Sequence, residues 1–227
     1  MEIMTLILFL VESGLELIPK EIRNHPSVIK TFDNAKYSSQ LLDNALHHSA
    51  MKKLKNFEKR GRPDIVHNCL LNALGSPLNK SGSLDIYIHT IGNKIFKIDS
   101  NIRIARNYNR FKGLMAKLLI KGQIASDDSV LISQINNNLI KLIKSLKSKE
   151  ILLFSENGKL LQNYFELFKK NLSKNYVVII GGFQKSNFSQ EILDLSNKIF
   201  SISQYSLDAW VVVNKIISYY EIIHDIK

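Results

Sequence analysis

The stretch Val177-Val178-Ile179-Ile180-Gly181-Gly182-Phe183 decides how this chain reads. Four consecutive β-branched residues are the pattern of a strand buried on both faces, as in a parallel sheet covered by helices. The paired glycines that follow let the backbone approach a ligand closely at the carboxyl edge of such a sheet, although a plain tight turn uses the same residues. Two further strands are expected around it, Ile151 to Phe154 and Ile199 to Ile202. Helices are expected over Leu160 to Leu172 and Leu207 to Ile226. Strand, helix, strand, strand, helix in that order argues for an α/β fold with a mostly parallel sheet.

Working outward, Thr5 to Val11 is another apolar, partly β-branched run and reads as a buried strand. It is far too short to span a bilayer, and with Glu2 before it and no basic n-region it does not read as a secretory signal. Gly14 and Pro19 bracket a turn. Leu41, Leu42, Ala45, Met51 and Leu54 fall at helical spacing within Gln40 to Leu54. Pro63 sits where a helix can begin, Ile65, Val66, Leu70, Leu71 and Leu74 form its apolar face, and Gly75 closes it. After a polar loop, Ser76 to Gly82, the segments Leu84 to Thr90 and Lys94 to Asp99 alternate around Gly92-Asn93, a hairpin signal. Arg110 to Lys121 and Ser133 to Lys147 read as helices. No linker rich in Pro, Gly or Ser separates the N-terminal part from the part beginning near Glu150, so the 227 residues read as one intimate unit.

Lys and Arg total 31 against 20 Asp and Glu, a formal charge of +11. Such an excess favours a polyanionic partner, because each neutralised phosphate releases condensed counterions, but a lysine-rich soluble protein has the same balance. Cys69 is the only cysteine, which excludes an internal disulfide or a zinc site of several thiolates and points to a reducing, cytoplasmic setting. The sequence has no G-x-G-x-x-G, Walker loop, HExxH, CxxC or GxSxG motif. Dinucleotide, P-loop, metal-hydrolase and serine-hydrolase readings therefore lack support, and no metal is expected.

Two arginine-rich segments carry most of the remaining chemistry. In Arg60-Gly61-Arg62-Pro63-Asp64-Ile65-Val66-His67, arginines in a loop entering a helix can meet phosphates bidentately. Asp64 reads either as an acidic first-turn residue complementing the helix dipole or as an orienting partner for Arg62. His67 reads as a helical core histidine or, alternatively, a base. In Arg103-Ile104-Ala105-Arg106-Asn107-Tyr108-Asn109-Arg110-Phe111, three arginines are interleaved with Tyr108 and Phe111. That combination suits looped RNA, with phosphates clamped and bases stacked on rings; an exposed basic helix start with both rings in the core fits equally.

Taken in order, these segments resemble one family, the archaeal and eukaryotic Nep/Emg small-subunit rRNA pseudouridine N1-methyltransferases of the knotted SPOUT class. The resemblance runs from Leu15-Glu16-Leu17-Ile18-Pro19 and His25-Pro26 through Leu41-Leu42-Asp43 to Arg60 to His67. It continues with Ser76-Pro77-Leu78-Asn79-Lys80, Ile88-His89-Thr90 and Arg110-Phe111-Lys112-Gly113-Leu114-Met115. Ile180-Gly181-Gly182-Phe183 and Ile202 to Trp210 complete it, so it spans nearly the whole chain. Ser186 stands where the family usually has glycine, and Ala105 where a proline is common.

The resemblance implies a single SPOUT methyltransferase domain over 1–227. Residues from about 76 to 100 would be an inserted extension containing the hairpin, and those from about 150 to 227 a part tied in a trefoil knot. It implies a homodimer and S-adenosyl-L-methionine held by Phe154, Ser155, Gly181, Gly182, Ser186, Ile202, Ser203, Gln204, Tyr205, Ser206 and Leu207. It also implies that Arg62, Arg103, Arg106 and Arg110 bind small-subunit rRNA, with Arg62 and Asp64 as the catalytic pair. The expected reaction is methylation of N1 of a pseudouridine during small-subunit biogenesis. A second reading has the chain acting chiefly as an RNA-binding assembly factor.

Overall fold

The computed structural model describes residues 5–31, 40–146, 149–169 and 175–227. In chain order the elements are β1 (Leu6–Ser13), α1 (Pro26–Ile29), α2 (Asn44–Met51), α3 (Pro63–Gly75), α4 (Pro77–Lys80), β2 (Leu84–Thr90) and β3 (Ile95–Ile98). They continue with α5 (Tyr108–Lys121), β4 (Gln123–Ala125), β5 (Val130–Ile135), α6 (Leu139–Ser145), β6 (Lys149–Leu160), β7 (Asn175–Gly181), α7 (Gln190–Leu193), β8 (Ile199–Ser201) and α8 (Ala209–His224).

All eight strands join one sheet in the order β4-β5-β3-β2-β1-β7-β6-β8. The pairs from β2 to β8 are parallel, and β3, β5 and β4 add an antiparallel end. Leu8 lies between Ile86 and Val178, so the expected N-terminal strand is central. Successive side chains on a strand point to opposite faces. Leu6, Leu8 and Leu10 accordingly join a core with residues of α3, α5 and α8, whereas Ile7, Phe9 and Val11 pack with α6 and α7. Burial on both faces explains why β1 and β7 read as unbroken apolar runs.

Helices α3 and α8 lie on the same face of the sheet. Asn214 Nδ2 donates to Asn72 Oδ1 at 3.4 Å, and Glu221 Oε1 accepts the backbone N–H of Leu78, just past α3, at 2.9 Å. Matched advance along both helices means that they run in the same direction. Their N-termini therefore come to the same end of the molecule.

Four expectations need correction. The helix expected over Gln40 to Leu54 is confined to α2, because Leu41 bridges Leu17 as extended chain and Asp43 caps the helix by accepting from Ala45 N at 3.1 Å. Ser133 to Lys147 is split. Val130–Ile135 alternates as a strand on β3, and Asn138 then caps α6 by accepting from Ile140 N and Lys141 N. The short Asn136–Asn138 run is thus the element boundary. Leu160 to Leu172 is not a helix where described: β6 continues to Leu160, and Asn163 caps only a single turn, Tyr164–Glu166. Residues 170–172 of that expectation lie outside the described residues. Finally, the polar loop Ser76 to Gly82 contains α4, capped by Ser76 Oγ at Asn79 N.

The hairpin forms as expected, with Asn93 in the left-handed region (φ 57°) and β2 paired antiparallel to β3. Its first strand is also parallel to β1, so it belongs to the centre of the sheet.

Candidate cofactor pocket and arginine surface

A cavity of about 580 Å³ opens at the carboxyl ends of β6, β7 and β8. That is where ligands collect in open α/β sheets, and the volume is within the range of small-molecule sites. Three loops line it, following Phe154, Gly181 and Ser201, and the first turns of α8 contribute Ala209 and Val212.

Each loop has a local cause. Phe154 and Lys159 both pair with Phe200, so Ser155–Gly158 bulges out of β6. Gly158 permits this, since a Cβ there would lie 2.5 Å from the carbonyl carbon of Phe200. At Gly182 a Cβ would come within 2.1 Å of Ser13 Oγ, so only glycine allows this loop to leave the sheet against β1. The third loop is shaped by its serines: Ser201 Oγ donates to Ser203 O at 2.7 Å, and Ser203 Oγ accepts from Tyr205 N at 3.0 Å. Asn157 Nδ2 donates to Asn187 Oδ1 at 3.0 Å and bridges the first two loops.

Nine of the eleven expected cofactor residues line this cavity: Phe154, Ser155, Gly181, Ser186, Ile202, Ser203, Tyr205, Ser206 and Leu207. Gly182 lies beneath it against Ser13, and Gln204 is exposed to one side. Ser186 has no positive φ, so a serine sits there without backbone strain. Phe183, the last residue of the quoted Gly-Gly-Phe motif, also lines it, whereas reasoning from sequence missed Asn157, Asn187, Phe188 and Val212, which come from outside the quoted motifs. The mixture of aromatic and apolar walls, hydroxyls and amides suits a ligand with a planar base and polar substituents.

Arg62 is tied by backbone to the second loop: its N–H donates to Gly14 O at 2.9 Å, and Gly14 N–H donates to Gly182 O at 3.0 Å. Arg62 Nε and Nη2 donate to Asp64 Oδ1 and Oδ2 at 2.8 and 2.6 Å, a bidentate pair. The hydrogen bonds to Asp64 raise the guanidinium pKa above its ordinary value, and the charge of Asp208 adds to this. Asp208 directly follows the cavity residue Leu207 and is the N-cap of α8. Asp64 therefore acts on Arg62 as well as standing in the first turn of α3.

Arg103, Arg106 and Arg110 are all exposed, and among the described residues none forms an ion pair. Ile102 and Ile104 are buried, which turns Arg103 outward from the segment between them. His67 Nε2 lies 2.7 Å from Ala105 O, and its ring stacks on Phe111 at 4.3 Å. His67 is thus a buried core histidine that holds the arginine segment, and it supplies the anchorage a proline at position 105 would give. Phe111 is fully buried, so of the two readings left open for the interleaved rings, the core reading holds for this one. Tyr108 is half-buried, with its hydroxyl donating to Asp43 Oδ2 at 3.1 Å. Lys112 Nζ donates to the same oxygen at 2.9 Å, so Asp43 fixes the start of α5.

Among the described residues no group of His, Cys, Asp or Glu could hold a metal ion. No described helix is long and apolar enough to cross a membrane. Cys69 is buried in the core, and its thiol pKa is raised by burial.

Comparison with known proteins points one way. The family profile described as EMG1/NEP1 methyltransferase matches residues 8–221. The ribosomal RNA small subunit methyltransferase Nep1 of Staphylothermus marinus is 44% identical, covering 92% of each chain. The Thermococcus sibiricus protein of the same name is 41% identical, covering 94% of this chain and 96% of that one. The crystal structure of Archaeoglobus fulgidus Nep1 bound to S-adenosylhomocysteine superposes with a TM-score of 0.86 at 35% identity, covering 98% of this chain and all of the other. A profile match over most of the chain, with relatives of this identity and coverage, places the chain in the EMG1/NEP1 methyltransferase family.

Proposed function

We infer that this chain is an S-adenosylmethionine-dependent methyltransferase that methylates N1 of a pseudouridine in small-subunit rRNA, in the course of assembling that subunit. The observation that carries the reading is that Arg62, locked bidentately on Asp64, is linked by backbone through Gly14 to Gly182, under a cavity walled by the three expected loops. The cavity's volume and the close approach at Gly182 fit the cofactor, and the three loops would hold it. When bound, the cofactor supplies an electrophilic methyl group. What remains for the protein is alignment and charge.

As N1 takes the methyl group, the bond from methyl to sulfonium sulfur breaks and leaves S-adenosylhomocysteine, and the N1 proton passes to solvent. Arg62 stabilises the negative charge that develops on the ring, and Asp64 keeps the guanidinium plane fixed so that no reorganisation is needed. The exposed guanidiniums of Arg103, Arg106 and Arg110 take phosphates of the looped strand. Methylation also requires that the base leave its stack, which a loop substrate permits at least cost. The test is mass spectrometry of a synthetic rRNA hairpin after incubation with protein and S-adenosylmethionine. A mass gain of one methyl is expected with pseudouridine and none with uridine at the same position. Equal methylation of both sinks the assignment.

The same reading includes a trefoil-knotted C-terminal part and a homodimer, with the hairpin's second strand, β3, beginning the antiparallel extension of the sheet. Light scattering that returns the mass of one chain at micromolar concentration would remove the dimer from the reading.

A further inference from the structure

The sequence motifs leave unexplained a buried ion pair between the two halves of the site. Glu12 and Lys59 side chains are 9% and 10% exposed, and Lys59 Nζ donates to Glu12 Oε2 at 2.7 Å. Glu12 sits at the irregularity that ends β1, with φ 49°. A residue with a side chain is held in the left-handed region only where its surroundings compel it. Here the backbone N–H of Glu12 donates to His89 Nδ1 at 3.2 Å, which directs the carboxylate away from the sheet.

That carboxylate also lies 3.3 and 3.4 Å from the backbone N of Ser189, at the far end of the loop that begins at Gly182. Lys59 Nζ lies 4.9 Å over the ring of Phe183, at the near end of that loop. Phe183 in turn packs edge-on against Phe188 at 5.3 Å. Both ends of the pocket loop are therefore clamped by one ion pair. Lys59 lies three residues before Arg62 in the basic loop, and the backbones are linked in parallel: Gly14 N donates to Gly182 O at 3.0 Å, and Arg62 N donates to Gly14 O at 2.9 Å.

A buried ion pair is weak evidence for stability, because desolvation of two charges offsets their attraction, so its position is the more informative fact. We propose that Glu12 and Lys59 are positioning residues that hold the pocket loop 182–189 against the loop carrying Arg62, so that cofactor binding and the placement of Arg62 are set together. This rests on the reading that the cavity is the cofactor site.

The experiment uses the full chain and measures S-adenosylhomocysteine affinity by calorimetry and hairpin affinity without cofactor by fluorescence anisotropy. Ser189→Pro removes the N–H that Glu12 accepts, at a residue whose φ of −63° is already that of proline and whose side chain makes no cap hydrogen bond. It is expected to weaken S-adenosylhomocysteine about tenfold while hairpin affinity stays within about twofold. Lys59→Met is expected to do the same and also to lower kcat, and Lys59→Arg to restore both, which a merely structural residue would not require. Unchanged cofactor affinity in folded Ser189→Pro or Lys59→Met overturns the proposal. Ala209→Phe, which fills the cavity, is the control: if it leaves S-adenosylhomocysteine binding intact, the pocket reading itself has failed.

Discussion

Arg62 and the trio Arg103, Arg106 and Arg110 show one side chain used in two ways. Arg62 has a side chain only 17% exposed, locked on Asp64 by two short hydrogen bonds. The three others project into solvent without an ion pair among the described residues. A guanidinium whose orientation is already fixed can stabilise charge at one point without rearranging. A free guanidinium follows a flexible phosphate chain and contributes chiefly through counterion release. Under the proposed function, burial and partnership, not residue type, separate a reacting-centre arginine from a gripping one.

Removing Arg62 should have the largest effect. Arg62→Ala is expected to lower kcat by about 10²–10³-fold, the cost of deleting one preorganised charge-stabilising donor, with hairpin affinity little changed. Single-turnover methylation and anisotropy on the same preparation check both halves, and a loss confined to RNA affinity would erase the distinction. Next comes the triple variant Arg103→Ala, Arg106→Ala, Arg110→Ala. Its hairpin affinity should fall on the order of 10- to 100-fold and the slope of log K against log salt should shrink by about 2, roughly 0.7 for each lost phosphate. An unchanged slope would mean that these arginines do not touch the backbone.

Asp64→Asn keeps the shape but removes the carboxylate charge. A drop of about tenfold in kcat, with cofactor and RNA affinity retained, is expected if Asp64 acts through Arg62. A fall in hairpin affinity instead would place Asp64 with the gripping group. The smallest effect concerns the base of the trio. His47 is buried next to Asp43, which anchors the start of α5, and burial holds its pKa below the ordinary 6.5, with Asp43 partly opposing. His89 is lowered in the same way. Below about pH 6.5 the unfolded chain then binds more protons than the folded one, so stability is full above that pH and lost as pH falls. The melting temperature should drop between pH 7 and pH 5, by about 2–4 °C for each kcal/mol lost. The His47→Gln variant should flatten that profile; an unaltered profile would exclude His47 as a contributor.

The buried strands β1 and β7 were legible because burial on both faces demands continuous apolar sequence, and α3 because Pro63 and Gly75 mark its ends. The helix expected over Ser133 to Lys147 begins too early because Ile135 falls at helical spacing from Leu139 and Leu142; only pairing with β3 decides in favour of strand. Leu160 to Leu172 differs for a related reason, since its apolar residues are shared between the end of β6, a single turn with no buried residue, and Leu167 and Phe168 in the core. In the site, motifs led to nine cavity residues, but Asn157 and Val212 carry no local signal. Glu12, one residue past the expected strand, and Lys59, just before Arg60, carry no local signal that they pair.

Local sequence, then, determined what is enforced locally: where apolar runs must be buried and which segments carry arginine. Tertiary structure decided which of those arginines has a partner, which ring is buried, and that positions 12, 59, 183 and 189 meet. The physical reason is that a charge's role depends on what lies within a few ångströms of it. Here those neighbours are up to 177 residues away along the chain.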